Sequence, residues 1–149
     1  REIKSLSRSR RRRQHRQRLR IKYVEREIKR IAAQLELPPE QVTQIHLTAT
    51  YRVEAVGGFP GSVYLAGLDS RLHVPPPERP NAKIKAGSIG IAGSACFIAA
   101  VDQPGAWHVI AQAEEPIFDP RRDPPFVLKP CDLLRFTTAE EAAAKETRN

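Results

Sequence analysis

From residue 47 onwards the chain alternates short apolar segments with turns rich in proline and glycine. In residues 51–56 apolar and charged side chains alternate, which is the pattern of a strand with one buried face. Further candidate strands are residues 63–68, Ile84, and residues 88–92, 96–101, 107–111 and 133–136; the turns fall at 57–61, 75–80, 104–105, 119–125 and 130. Many short strands with regular turns favour a closed or nearly closed antiparallel barrel, because closure leaves no sheet edge unpaired.

Helical patterns flank this β-rich region. A short strand at residues 21–24 is followed by residues 25–37, where apolar side chains recur at helical spacing. The apolar positions are Ile28, Ile31, Ala32 and Leu35. Pro38 and Pro39 end this helix, since proline cannot continue the hydrogen-bond ladder. Residues 40–46 form a second short helix with Val42 and Ile45 facing inward, and residues 138–146 are rich in strong helix formers.

The net charge of +8 is concentrated at the N-terminus. Residues 1–30 contain 14 Lys and Arg against 3 acidic residues, whereas the remaining residues contain 11 against 14. Residues 1–20 show no apolar period and predict an extended or partner-ordered arm. Its candidate RNA-binding residues are Arg8, Arg10, Arg11, Arg12, Arg13, Arg16, Arg18 and Arg20. Such an arm would neutralise phosphates and recognise the RNA backbone; a solvated tail or a localisation signal is the alternative.

Several kinds of site are not indicated by the sequence. Cys96 and Cys131 are interpreted as two reduced thiols, with a single disulfide between them as the alternative. Together with four scattered histidines they lack the ligand spacing of a zinc site. No apolar run approaches the roughly 20 residues that span a bilayer, so no membrane partner is expected. No phosphate-binding glycine loop occurs, and no cofactor is predicted.

Four separate segments, residues 57–69, 86–93, 104–107 and 130–136, agree in order and spacing with a known family. They resemble the cyclophilin-like domain of the kinase-inhibitor/allophanate hydrolase subunit 1 family, which includes the B subunit of 5-oxoprolinase and part of urea carboxylase. The resemblance extends over residues 19–137. It implies a mainly β fold with short α-helices: a cyclophilin-like antiparallel β-barrel plus a basic N-terminal arm. The expected boundaries are arm 1–20, cyclophilin-like domain 21–137 and helical tail 138–149.

The family's pocket is only partly matched. Ser62 replaces an aromatic residue of the first pocket element, arginines expected in the second are missing, and the Gln-Thr-Gly and Tyr-Pro features of the third are absent from residues 93–100. The residues interpreted as a vestigial pocket are His46, Pro60, Gly61, Tyr64, Arg79 and Lys83. We expect an apolar wall of Phe97, Ala99 and Ala100, with neither Arg79 nor Lys83 converging on His46.

The pocket and the arm together lead to a functional hypothesis. Binding an anionic substrate requires hydrogen-bond donors that are held in place, such as the two-pronged guanidinium of arginine. Because the family's pocket arginines are missing here, no catalytic residues are predicted and a non-catalytic role is favoured, with enzymatic activity left open. The first hypothesis is an RNA-contacting structural component of a large ribonucleoprotein, such as an organellar ribosome, surrounded by neighbouring proteins. Its location would be intracellular, in the mitochondrial matrix, because the chain begins at Arg1 without a methionine. The alternative is a subunit of an ATP-dependent amidohydrolase of the 5-oxoprolinase or allophanate hydrolase type.

Overall fold

A computed structural model of the chain describes residues 15–56, 62–121 and 128–148. The elements in these residues are β1 (Arg16–Tyr23), α1 (Glu25–Leu35), α2 (Pro39–Thr48), β2 (Tyr51–Val56), β3 (Val63–Ala66), β4 (Asn81–Ile84), β5 (Ser88–Ala92), β6 (Ala95–Ile98), β7 (Gln103–Gly105), β8 (His108–Ala113), β9 (Leu133–Thr137) and α3 (Ala139–Arg148). A single 3₁₀ turn, Ser70–Leu72, lies between β3 and β4.

Seven of these strands close into a barrel in the order β1-β8-β5-β6-β3-β2-β9, and β4 pairs with β7 in a separate two-stranded sheet. Every barrel pairing is antiparallel except that of β1 with β9, which is parallel. The predicted fold class, a mainly β chain with short helices and a closed barrel, is confirmed. The predicted turn at Phe59, Pro60 and Gly61 lies outside the described residues.

The first strand begins earlier than the sequence patterns indicated. Leu19 and Ile21 are buried in the barrel, while the residues between and around them are exposed. Strand β1 runs beside β9 from Arg16 to Arg20 and beside β8 from Ile21 to Tyr23. Residues 16–20, expected in the arm, therefore lie in the barrel wall. The alternation of buried and exposed residues in this segment was missed because most of its residues are arginine.

The two helices after β1 pack against the barrel as their patterns predicted. Helix α1 buries Ile28, Ile31 and Ala32. The helix ends at Leu35, before the prolines, and not at residue 37 as predicted. Glu36 caps it in a left-handed conformation (φ 57°) and donates its N–H to the carbonyls of Ala32 and Ala33. Helix α2 begins with a proline in its first turn, where the missing N–H costs nothing, and runs two residues beyond the predicted end.

Apolar side chains form two separate cores. The larger core fills the barrel and continues under α1 and α2. The smaller one contains Ile84, Phe97 and Ala99, with Tyr64, Trp107 and Val109 packed against it. Tyr64 and Phe97 are register partners on β3 and β6, whereas the adjacent partners Leu65 and Cys96 belong to the larger core. Because side chains alternate along a strand, the smaller core lies on the outer face of the barrel wall.

Candidate functional site

The residues predicted to form a vestigial pocket lie on different sides of the barrel wall. His46 is fully buried inside the barrel, and Tyr64 belongs to the outer core. Lys83 is exposed on β4, where its Nζ pairs with Asp102 Oδ2 at 3.3 Å, and Arg79 is exposed in the loop before β4. Pro60 and Gly61 lie outside the described residues. The structure therefore does not bring His46 together with Tyr64, Arg79 or Lys83.

Inside the barrel, His46 lies at the centre of a polar and aromatic cluster. Its Nδ1 is 2.6 Å from the hydroxyl of Tyr23, and its Nε2 is 3.9 Å from Cys96 Sγ. The imidazole stacks on Phe136 with 4.7 Å between ring centroids, and the Tyr51 hydroxyl donates to the His46 carbonyl at 3.1 Å. Helix α2 thus inserts one histidine whose two ring nitrogens and backbone carbonyl all have partners among the side chains around it.

Burial keeps the groups of this cluster uncharged. Desolvation lowers the pKa of His46 to about 3 and raises the pKa of the Cys96 thiol to about 12. The same desolvation raises the pKa of Tyr23 and of Tyr51 well above the ordinary tyrosine value. Near neutral pH the cluster therefore contains a neutral imidazole, a thiol and two phenols. It offers neither a thiolate nucleophile nor a cation for an anionic substrate.

The outer core is an aromatic layer beneath the β4–β7 sheet. Phe97 and Trp107 stack with 4.5 Å between centroids, and Tyr64 lies 5.5 Å from Phe97. The backbone N–H of Trp107 donates to Asn81 Oδ1 at 3.2 Å, which ties the layer to β4. Of the expected apolar wall, Phe97 and Ala99 are packed within this layer with 1% and 0% of their surface exposed. These two residues consequently form packed core, and not the wall of an open cavity.

Ser62, which stands where the family pattern has an aromatic residue, makes a buried polar contact. Its Oγ donates to Gln103 Oε1 at 2.9 Å, and Gln103 Nε2 donates to the Val101 carbonyl at 3.1 Å. The contact joins the start of β3 to β7. Sequence reasoning missed it because the two residues are 41 positions apart and neither belongs to a recognisable motif.

Exposed cations form a row on the outer face of β1. We call this row the cationic stripe; it consists of Arg16, Arg18, Arg20 and Lys22. Arg18 and Arg20 line a groove of about 330 Å³ together with Glu115, Thr137 and Ala142. Of the arginines predicted to bind RNA, three are therefore strand residues of the barrel. The other five, Arg8, Arg10, Arg11, Arg12 and Arg13, lie outside the described residues.

Neither a metal-binding cluster nor a membrane-spanning helix occurs in the part of the chain that the structure describes. Within residues 15–56, 62–121 and 128–148, no group of three or more His, Cys, Asp or Glu side chains could hold a metal ion. In the same residues, no helix has the length and apolar character required to cross a bilayer.

Known proteins resemble this chain in both sequence and structure. The B subunit of 5-oxoprolinase from Escherichia coli O157:H7 is 36% identical over 111 residues, covering 74% of this chain and 51% of that protein. The corresponding B subunit from Bacillus subtilis (strain 168) is 32% identical over 126 residues, covering 83% and 52%. The chain thus spans about half the length of these relatives.

A conserved uncharacterized protein of Pyrococcus horikoshii superposes with a TM-score of 0.79 at 32% identity, covering 86% of this chain and 61% of that one. The urea amidolyase of K. lactis, at 18% identity and a TM-score of 0.69, shares the fold.

These similarities overturn the first functional hypothesis. The curated relatives are named as subunits of 5-oxoprolinase, so the prediction of an RNA-contacting ribosomal component was wrong. The RNA partner and the mitochondrial location are wrong for the same reason, because these relatives are bacterial enzyme subunits. The inference failed because an arginine-rich composition was interpreted without knowing that part of it belongs to a strand.

The same comparisons confirm the resemblance inferred from the four sequence segments. The family model described as "Carboxyltransferase domain, subdomain C and D" matches residues 2–128, which is most of the chain. The match runs from the N-terminal arginine run through β8, and the barrel has the fold of the structural relatives. The chain belongs to the carboxyltransferase subdomain C and D family.

Proposed function

We propose that this chain is part of a subunit of an ATP-dependent amidohydrolase of the 5-oxoprolinase type, and that it acts together with other subunits. The single observation that supports this most is the 36% identity to the B subunit of 5-oxoprolinase over 74% of the chain. The similarity extends over 111 residues, so it does not depend on one motif.

The chemistry of the reaction indicates where the chain contributes. Hydrolysis of 5-oxoproline breaks a cyclic amide C–N bond, and the substrate bears a carboxylate. Stabilising that carboxylate and a developing oxyanion requires fixed cationic or N–H donors. The barrel interior around His46 is uncharged, whereas exposed cations lie on the outer surface, among them those of β1 and Lys83 of β4. We therefore place the contribution of this chain at its outer surface, where it faces other subunits.

Reconstitution tests the proposal. The full chain is purified, mixed with the remaining 5-oxoprolinase subunits of its source organism and passed over a sizing column. We expect co-elution, and we expect 5-oxoproline to stimulate ATP hydrolysis and glutamate formation by the mixture. Proline is the matched control substrate, because it has the same ring and carboxylate but no ring amide to hydrolyse. Absence of co-elution would contradict the proposal, as would equal ATP hydrolysis with proline and 5-oxoproline.

A further inference from the structure

The cationic stripe has a regular geometry. Side chains of alternate residues point to the same face of a strand, and alternate residues lie about 6.7 Å apart. The four cations of the stripe therefore extend over about 20 Å along the outer surface of the barrel. Leu19 and Ile21, which lie between them, are buried and hold the strand in register. The row is fixed by the barrel and is not a disordered tail.

No carboxylate in the described part of the chain forms an ion pair with the stripe. The ion pairs among the described residues involve other cations, and no member of the stripe takes part in them. Arg18 has another cation, Arg135 of β9, as its direct register partner. Like charges side by side on neighbouring strands destabilise a sheet. The Arg135 guanidinium donates to the Leu47 carbonyl at 3.3 Å, and neither arginine of the pair has an ion-pair partner among the described residues.

The surroundings of the stripe favour carboxylates as its ligands. Guanidinium groups bind carboxylates in a bidentate manner, and Arg18 and Arg20 both border the groove. Glu115 lines the same groove, but one carboxylate beside two guanidinium groups leaves the groove with a net positive charge. Glu115 makes no ion pair with either arginine. The stripe is longer than the groove and would extend beyond a small anion. An elongated, acidic protein surface matches both its length and its charge.

We infer that the cationic stripe is a docking surface for a carboxylate-rich face of another subunit of the hydrolase. This inference rests on the proposed function, since that function supplies the protein partner. It adds the location of the contact, the kind of side chain that the partner contributes, and a dependence on ionic strength, because exposed charge pairs are screened by salt.

A model peptide tests the surface without the partner. The ¹⁵N-labelled full chain is titrated at low salt with a twelve-residue peptide of alternating Glu and Ser. We expect amide shifts at residues 16–22 and at Arg135 and Thr137. The double variant R18Q/R20Q should bind the peptide about fivefold more weakly, because each exposed charge pair contributes modestly. The matched control R26Q/K29Q removes the same charge from the exposed face of α1 and should change the affinity less than twofold.

The results that overturn the inference are equally specific. Shifts confined to residues 1–14, or equal losses in the two double variants, would show that the stripe is not the binding surface. An oligouridylate of the same charge that perturbs the same amides with higher affinity would exclude an acidic protein as the preferred partner. In the reconstituted enzyme, R18Q/R20Q should weaken co-elution while R26Q/K29Q does not. If R18Q/R20Q assembled normally, the stripe would not be the docking surface, and the proposed function would still stand. If the unsubstituted chain failed to assemble, the proposed function would be refuted. The peptide titration would then still test whether the stripe binds carboxylates.

Discussion

The buried imidazole of His46 predicts a loss of stability in mild acid. Burial lowers its pKa from the ordinary value of 6.5 to about 3. Below pH 6.5 the unfolded chain therefore binds a proton that the folded chain excludes. The stabilisation is fully present above pH 6.5 and is lost progressively as the pH falls towards 3.

The magnitude follows from proton linkage. With an unfolded pKa of 6.5, lowering the pH from 7.5 to 5.0 costs about 2 kcal/mol of unfolding free energy. This figure is insensitive to the folded pKa, provided that the folded pKa stays below about 4, because at pH 5.0 the folded imidazole then remains neutral. In the variant His46→Gln the side chain cannot titrate, and we expect this acid-dependent loss to disappear. The substitution itself should destabilise the protein by about 1–3 kcal/mol at pH 7.5, since it removes the stacking on Phe136.

Urea unfolding measures both quantities. Trp107 is the single tryptophan of the chain and packs against Phe97, so its fluorescence reports the transition. Unfolding free energies are measured for the unsubstituted chain and for His46→Gln at pH 7.5, 6.5 and 5.0. Subtracting one profile from the other removes the contribution of every other titrating group. If the difference in unfolding free energy between the two proteins changed by less than about 0.5 kcal/mol from pH 7.5 to 5.0, the inference that His46 stays neutral in the folded protein would be refuted.

Three further predictions concern packing and reactivity. Gly90→Ala would place a Cβ 2.8 Å from the Cβ of Trp107 and should lower the unfolding free energy by about 1–3 kcal/mol in urea titrations; an unchanged midpoint would contradict this. Ser62→Ala should lower the unfolding free energy by about 1–3 kcal/mol, because it leaves the buried Gln103 Oε1 without its donor. Adding Gln103→Leu should recover part of this loss, and a double-mutant cycle measures the recovery. Cys96 is fully buried with a raised pKa, so mass spectrometry after alkylation of the folded chain at pH 8 should find it unmodified, with modification only in urea.

Local patterns were sufficient to predict most elements of the fold. The apolar spacing of Ile28, Ile31 and Ala32 predicted α1, and the alternation in residues 51–56 predicted β2. Strand β7 (Gln103–Gly105) was missed, because three residues with proline and glycine show no period. Strand β1 was predicted too short, because Leu19 stands between arginines and its burial depends on strands far away in the sequence.

The candidate site was less predictable than the fold. The family resemblance singled out His46 and Tyr64 for one vestigial pocket, but it could not show that they lie on opposite sides of the barrel wall. The partners of His46 come from four separate strands, and the Cys96 thiol beside it is 50 positions away. The arginine composition led to the wrong prediction of an RNA partner, and it could not show which arginines lie on one face of a strand.

The sequence by itself determined the kinds and order of the elements, the closed β-rich fold and the family, because these depend on periodicity, turn residues and motif spacing within short windows. Only the tertiary structure decided which side chains meet. The His15 N–H reaches the Asp132 carboxylate across 117 positions, and this closure places β1 in parallel beside β9. The pairing register of β1 with β9 is set by burial, because a shift by one residue would turn the buried side chains of the strand towards the solvent. The same closure puts a row of cations outside the barrel, since each side chain on a barrel strand must face either the core or the solvent. The neutral His46 is buried from helix α2, against side chains of four strands.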